Sequence, residues 1–136
     1  MINSPQTIFL IMKILSVCFL TILFLQSGLD KVIDRKENLN WLKSHFANSP
    51  LKNNVPILLL TITIIELLSG ILNLLGIVFL VYNGNTIFAI SGTILASLAL
   101  IMLFFGQRLA KDYVGAQSLV SYFILTLITL FLFVIN

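Results

Sequence analysis

Glu66 is the residue whose type and position most clearly ask for chemistry. It stands in TITIIELLSG, residues 61–70, within an apolar run from Val55 to Tyr82 that is long enough to cross a lipid bilayer. Ionisable groups at that depth are costly and mark proton, ion or substrate sites. On a helix its face-sharing neighbours lie three or four residues away. Those positions hold Thr63, Ser69 and Gly70, followed by Asn73 and Gly76, so small and polar residues form one stripe on a greasy helix. A stripe of this kind belongs against other helices. Gly92, Ala96 and Ala99 supply a matching small-residue stripe in the next apolar stretch, and Ser118, Tyr122, Thr126 and Thr129 a polar one in the last. Glu66 is therefore expected to point into a bundle.

Two roles remain open for it: a site group, or a staple that hydrogen-bonds helices together. In low dielectric an unpaired carboxyl favours its neutral form, whereas a cationic partner favours the ionised one. Lys13 is the basic residue inside the first apolar stretch, offset from Glu66 by about 9 Å of helical rise. Thr63, Asn73, Tyr122 or a trapped water are the other candidate partners. The candidate intramembrane site is thus Glu66, Lys13, Thr63, Ser69, Asn73 and Tyr122, with Gly70, Gly76, Gly92 and Ala96 letting helices approach.

Other chemistries are poorly supplied. The one cysteine, Cys18, lies in the first apolar stretch, so internal dithiol exchange is excluded and packing is its expected role. The one histidine, His45, rules out a bis-histidine haem within one chain and makes a protein-only zinc site improbable; a surface position is expected. There is no phosphate-cradling loop. No metal and no resident cofactor are expected, and a nucleic-acid partner is not either. Tyr122, Trp41 and Phe104 have the ring faces to stack on a quinone, but aromatic residues in membranes more often pack or anchor at the interface.

The elements that position these residues follow from composition. Of 136 residues 59% are hydrophobic and 10% charged, and the mean hydropathy of +1.08 exceeds what a water-soluble domain could hide. Helices are the spanning form this pattern supports, because strands without closure leave backbone groups unpaired in lipid. The expected fold is all-α, a single integral membrane domain over residues 1–136 forming a four-helix transmembrane bundle. Its spans cover roughly 7–28, 56–82, 86–106 and 115–135. The first is expected to be an uncleaved span, since no basic residue precedes Ile8 and Lys13 lies within the run.

Between the first two spans lies the sizeable hydrophilic segment, residues 26–56. Val32, Leu39, Leu42 and Phe46 recur in it at helical spacing, away from Lys31, Arg35, Lys36 and Lys43. An amphipathic interfacial helix over roughly 31–48 is expected, with Trp41 at headgroup depth and Ser49-Pro50 as its stop. Pro56 suits the first turn of the next span. Asn83-Gly84-Asn85 forces spans two and three into a hairpin, with Asn85 or Thr86 capping the third. Seven of the eight basic residues fall in the connections after spans one and three. The positive-inside rule then places those connections in the cytoplasm and both termini outside. Asp30, Lys31, Arg108, Lys111 and Asp112 share that side, either as a network or as separate solvated charges.

FLQSGLDKV (24–32), closing the first span, and ELLSGILNLLG (66–76), in the second, resemble motifs of the DoxX/DoxD-like family of small bacterial membrane proteins, as does the four-span layout of the whole chain. Lys13 is similar to a basic residue found early in that family's first span. Before the last span, GQRLAKDYVGA departs from the family's glycine-rich stretch ending in an acidic residue. The resemblance implies a multi-pass protein of the bacterial inner membrane. It also implies a quinone as the ligand class to consider, because a few DoxD-like proteins are subunits of a thiosulfate:quinone oxidoreductase. The expected function is a non-catalytic small subunit or assembly partner of a larger membrane or electron-transfer complex, in contact with the lipid bilayer and with a membrane-protein partner or a second copy of itself. The alternatives are a quinone-linked oxidoreductase subunit and a small proton-coupled carrier.

Overall fold

A computed structural model describes residues 2–135. The described residues form six helical segments: α1 (Pro5–Ile33), α2 (Arg35–His45), α3 (Val55–Asn83), α4 (Ile87–Leu109), α5 (Tyr113–Ser118) and α6 (Val120–Ile135). Four stretches are long and apolar enough to cross a membrane: α1, α3, α4, and α5 with α6 counted together as Tyr113–Ile135. The all-α four-helix bundle expected from the composition is the fold. Its outward faces carry Leu15, Ile22, Ile64, Leu68, Leu98, Ile101, Leu127 and Phe131, all exposed, an arrangement suited to hydrocarbon and not to water. Cys18 is among the exposed residues, so it faces outward and does not pack the core.

The order of packing follows from where small residues sit. A Cβ added at Gly28 would stand 2.7 Å from the Leu67 side chain, and one added at Gly70 would stand 2.9 Å from the Leu25 backbone nitrogen. These two reciprocal notches bring α1 against α3 and fix their register. On the other face of α3, Gly76 meets Ala89 and Gly92 meets Asn73 just as closely, so α3 and α4 form a tight antiparallel hairpin. Leu20, Phe24, Leu59, Ile62, Ala96, Ala99 and Leu100 fill the space between the three helices. α6 closes the bundle against α4 and α1, with Thr126, Thr129 and Leu132 turned inward. Each of those threonines returns its hydroxyl to its own helix, to Phe123 O and Leu125 O.

Element ends differ from the expected ones for identifiable local reasons. α1 runs past residue 28 to Ile33 and bends into α2 at Asp34, whose φ of −103° and ψ of 38° leave the helical region. Asn38 stabilises that bend, its amide donating to the carbonyls of Asp34 (3.0 Å) and Asp30 (3.3 Å). The asparagine, a poor helix former, sits one turn after the bend and turns its side chain back onto it. α2 covers 35–45, shorter than the expected 31–48, and stops before Ser49-Pro50. Ser49 Oγ donates to Phe46 O and accepts from Leu51 N, which ties the chain into a local turn. α2 presents Leu39 and Leu42 to the core and leaves Arg35, Lys36 and Lys43 exposed, as an amphipathic helix should.

Pro56 occupies the first turn of α3, as expected. In the hairpin turn Gly84 adopts φ 74°, and Asn85 rather than Thr86 supplies the cap, its Oδ1 accepting from Ile87 N at 3.0 Å. Because L-residues are disfavoured in the left-handed region, Gly84→Ala should lower stability by about 1 kcal/mol. Nothing lies within 4 Å of the added carbon, so thermal unfolding in detergent isolates the backbone cost. The last span is not one helix. Ser118 Oγ donates to Gly115 O at 2.6 Å, and the chain tightens through Leu119 N to Ala116 O at 3.2 Å before α6 begins.

Candidate intramembrane site

The α1–α3 register decides Glu66's partner. With Leu25 beside Gly70 and Gly28 beside Leu67, the next inward turn of α1 brings Ser27 and Lys31 to Glu66. Lys31 Nζ lies 2.9 Å from Oε2 and 3.3 Å from Oε1. Ser27 Oγ donates to Oε2 at 2.9 Å and accepts from Lys31 Nζ at 2.8 Å. The serine, one turn before the lysine on α1, therefore links cation and anion into a closed three-member cluster. Glu66 is 1% exposed and the Lys31 side chain 17%. Glu66 points into the bundle, as expected, but its partner is on the polar end of α1.

Lys13 is not that partner. Eighteen residues separate it from Lys31, about 27 Å of helix, and it lies buried near the other end of the bundle with its Nζ 5.2 Å from the centroid of the Phe133 ring. The expected 9 Å offset underestimated the distance because α1 extends farther toward α2 than its apolar stretch indicates. Tyr122 is also elsewhere, its ring 6.3 Å from that of Phe19.

The polar stripe of α3 serves two purposes. Thr63 donates to Leu59 O within its own helix. Ser69 Oγ donates across to Gly92 O at 2.9 Å, and the Asn73 amide donates to Ser69 O at 2.9 Å. Thr93 Oγ1 lies 3.4 Å from Asn73 Oδ1 and donates more closely to Ala89 O, at 2.7 Å. Ser69 and Asn73 thus belong to the α3–α4 seam, while Glu66 belongs to the α1–α3 seam. No buried side-chain nitrogen or oxygen among the described residues lacks a hydrogen-bond partner.

The five charges expected on one side do not form a network. Lys31 is taken by Glu66. Arg108 stacks over the Tyr113 ring at 4.7 Å. Asp112 caps α5, accepting from Gly115 N at 2.8 Å, and sits 3.6 Å from His45 Nε2. Asp30 and Lys111 form no ion pair among the described residues. His45 is not merely a surface residue: its Nε2 lies within hydrogen-bond distance of Gln107 Oε1, at 2.7 Å, and its ring stacks on Trp41 at 4.5 Å. Together with Phe46, which lies over Gly106, these contacts fasten the end of α2 to α4. Asp112→Ala should cost about 1 kcal/mol as a lost N-cap, whereas Asp112→Asn keeps an acceptor and should stay close to the parent. Chemical unfolding of the two variants separates the cap from the charge.

A cavity of about 350 Å³ lies where α2, the start of α3 and the end of α4 meet. Its wall is mostly apolar, including Leu42, Val55, Leu58, Ile62 and Leu103, with Lys31, Asn38 and Gln107 as polar points and Trp41, Phe46 and Phe105 as aromatic ones. Of the three aromatics considered for ring stacking, Trp41 alone borders it; Phe104 borders a smaller apolar pocket against Leu119 and Phe123. The described residues contain no group of three His, Cys, Asp or Glu side chains that could hold a metal ion.

Sequence reasoning missed Ser27 as a site residue and assigned Lys31 to the surface charges. The signal was present in their spacing of four, which puts both on one helical face, next to Gly28, whose small size brings α3 close. What the ion pair can do on this geometry is clamp α1 to α3 within a low-dielectric seam, with each charge compensated by the other. No family model, curated protein or solved structure matches the chain.

Proposed function

We propose that this chain is a DoxX-like protein of the bacterial inner membrane that serves as a non-catalytic small subunit or assembly partner of a larger membrane or electron-transfer complex. The observation that carries this reading is the closure of Glu66 on Lys31 and Ser27. A carboxylate consumed by helix-to-helix contacts is a fastening, and it favours the staple role over proton relay or substrate capture. With every buried side-chain nitrogen and oxygen of the described residues hydrogen-bonded, the surface left for recognition is the apolar flank of the spans and the basic connections. The charge distribution supports cytoplasmic α1–α3 and α4–α5 connections. A reporter fused after Asn136 should then be active outside the cytoplasm.

The function is tested by mild detergent extraction of tagged protein, followed by identification of what travels with it. A stoichiometric membrane-protein partner, retained in Glu66→Gln, supports the reading. A lone monomer carrying no partner contradicts it. Bound quinone, with turnover abolished by Glu66→Gln, would replace it by the quinone-linked role.

A further inference from the structure

We propose that the cavity between α2, α3 and α4 is a binding site for an anionic phospholipid, with one acyl chain in the cavity and the phosphate at its basic rim. The inference stands apart from the subunit reading, since it needs no partner protein. Its first support is the wall. Leu42, Val55, Leu58, Ile62 and Leu103 offer a chain-like ligand an apolar path, and a volume of about 350 Å³ falls within the usual range of small-molecule sites.

Its second support is charge. Lys43, Lys52 and Arg108 each follow a wall residue in sequence, namely Leu42, Leu51 and Gln107, and all three are exposed. Arg35 and Lys36 on α2 and Lys111 in the α4–α5 connection add three more exposed cations, against the exposed carboxylates of Asp30, Asp34 and Glu37. None of these six cations has an ion-pair partner among the described residues, while Asp112 is occupied by His45 and the α5 cap. Basic pockets between transmembrane helices hold anionic headgroups in this way. A neutral ring such as a quinone would gain nothing from that rim. The third support is Trp41, 57% exposed and bordering the cavity, a residue type that favours headgroup depth.

Trp41 is the sole tryptophan, so its fluorescence reports on the site. The protein is placed in phosphatidylcholine nanodiscs containing a rising fraction of phosphatidylglycerol with brominated acyl chains, and brominated phosphatidylcholine serves as the comparison. Quenching should saturate at a mole fraction about tenfold lower for the anionic lipid. The triple variant Lys43→Gln, Lys52→Gln, Arg108→Gln should lose most of that preference. Gly106→Leu, which puts bulk into the wall facing Phe46, should lower the maximal quenching; Met102→Phe replaces it if Gly106→Leu lacks parental helicity by circular dichroism. Equal quenching by the two lipids at every fraction would overturn the proposal. So would an anionic preference accompanied by maximal quenching that the folded filling variant leaves unchanged, which describes an electrostatic annulus with no chain in the cavity. Relief of quenching by an equimolar quinone, but not by unbrominated phosphatidylglycerol, would assign the cavity to a neutral ring instead.

Discussion

Lys31→Met should destabilise the bundle by about 3 kcal/mol, near the low end for breaking a buried ion pair. It leaves Glu66, 1% exposed, without its cation and with Ser27 as the remaining donor. Glu66→Leu should cost less, about 1–2 kcal/mol, because the Lys31 side chain is 17% exposed and its long stem lets the ammonium reach toward the interface. The asymmetry is the diagnostic feature. The double variant, which replaces both charges by apolar groups, should lie closer to the parent than the two single costs added together. Reversible unfolding in mixed micelles measures all four proteins. Additive costs would mean that the two residues do not act on one another.

Gly76→Ala should be the most damaging of the small substitutions, at about 2–3 kcal/mol. Its new methyl would lie 2.6 Å from Ala89 Cα and 2.7 Å from Ala89 N. Those are backbone atoms of the facing helix, so no rotamer change relieves the clash and α3 must move away from α4. The intrinsic helix preference of alanine over glycine, up to about 1 kcal/mol, works in the opposite direction and is outweighed. Gly106→Ala is the control. Its methyl would meet the Phe46 ring at 3.5 Å, an ordinary contact, so propensity should decide and stability should hold or rise slightly. If the two substitutions behave alike, the closeness of the α3–α4 seam is not what constrains Gly76.

The spans, the hairpin at Gly84 and the inward face of α3 were legible in the sequence because each rests on a local or periodic signal. Apolar length sets the number of crossings. A three-residue turn sets the hairpin, and spacing by three and four sets the stripe that carries Glu66, Ser69 and Asn73. Partnership across helices was not legible in the same way. Hydropathy marks where α1 meets hydrocarbon, not where its backbone stops being helical, and α1 continues to Ile33. Lys31 therefore looked like part of the interfacial helix and Ser27 like the unremarkable end of the first span, and Lys13 looked nearer to Glu66 than it is. The register that corrects this comes from two pairs of glycine and leucine, Gly28 with Leu67 and Gly70 with Leu25, whose matching needs both helices at once. Likewise, like-sided charges such as Asp112 and Arg108 gave no indication that one would cap a helix and the other lie on a tyrosine ring.

The cluster at the α1–α3 seam can be observed directly by solid-state nuclear magnetic resonance on protein carrying nitrogen-15 lysine and carbon-13 glutamate in lipid bilayers. Lys31 Nζ at 2.9 Å from Glu66 Oε2 predicts a short-range correlation between a lysine ammonium and the Glu66 carboxyl carbon. It should disappear in Lys31→Met and survive in Lys13→Met. Loss of the correlation in Lys13→Met, or its absence from the parent protein, would contradict the account.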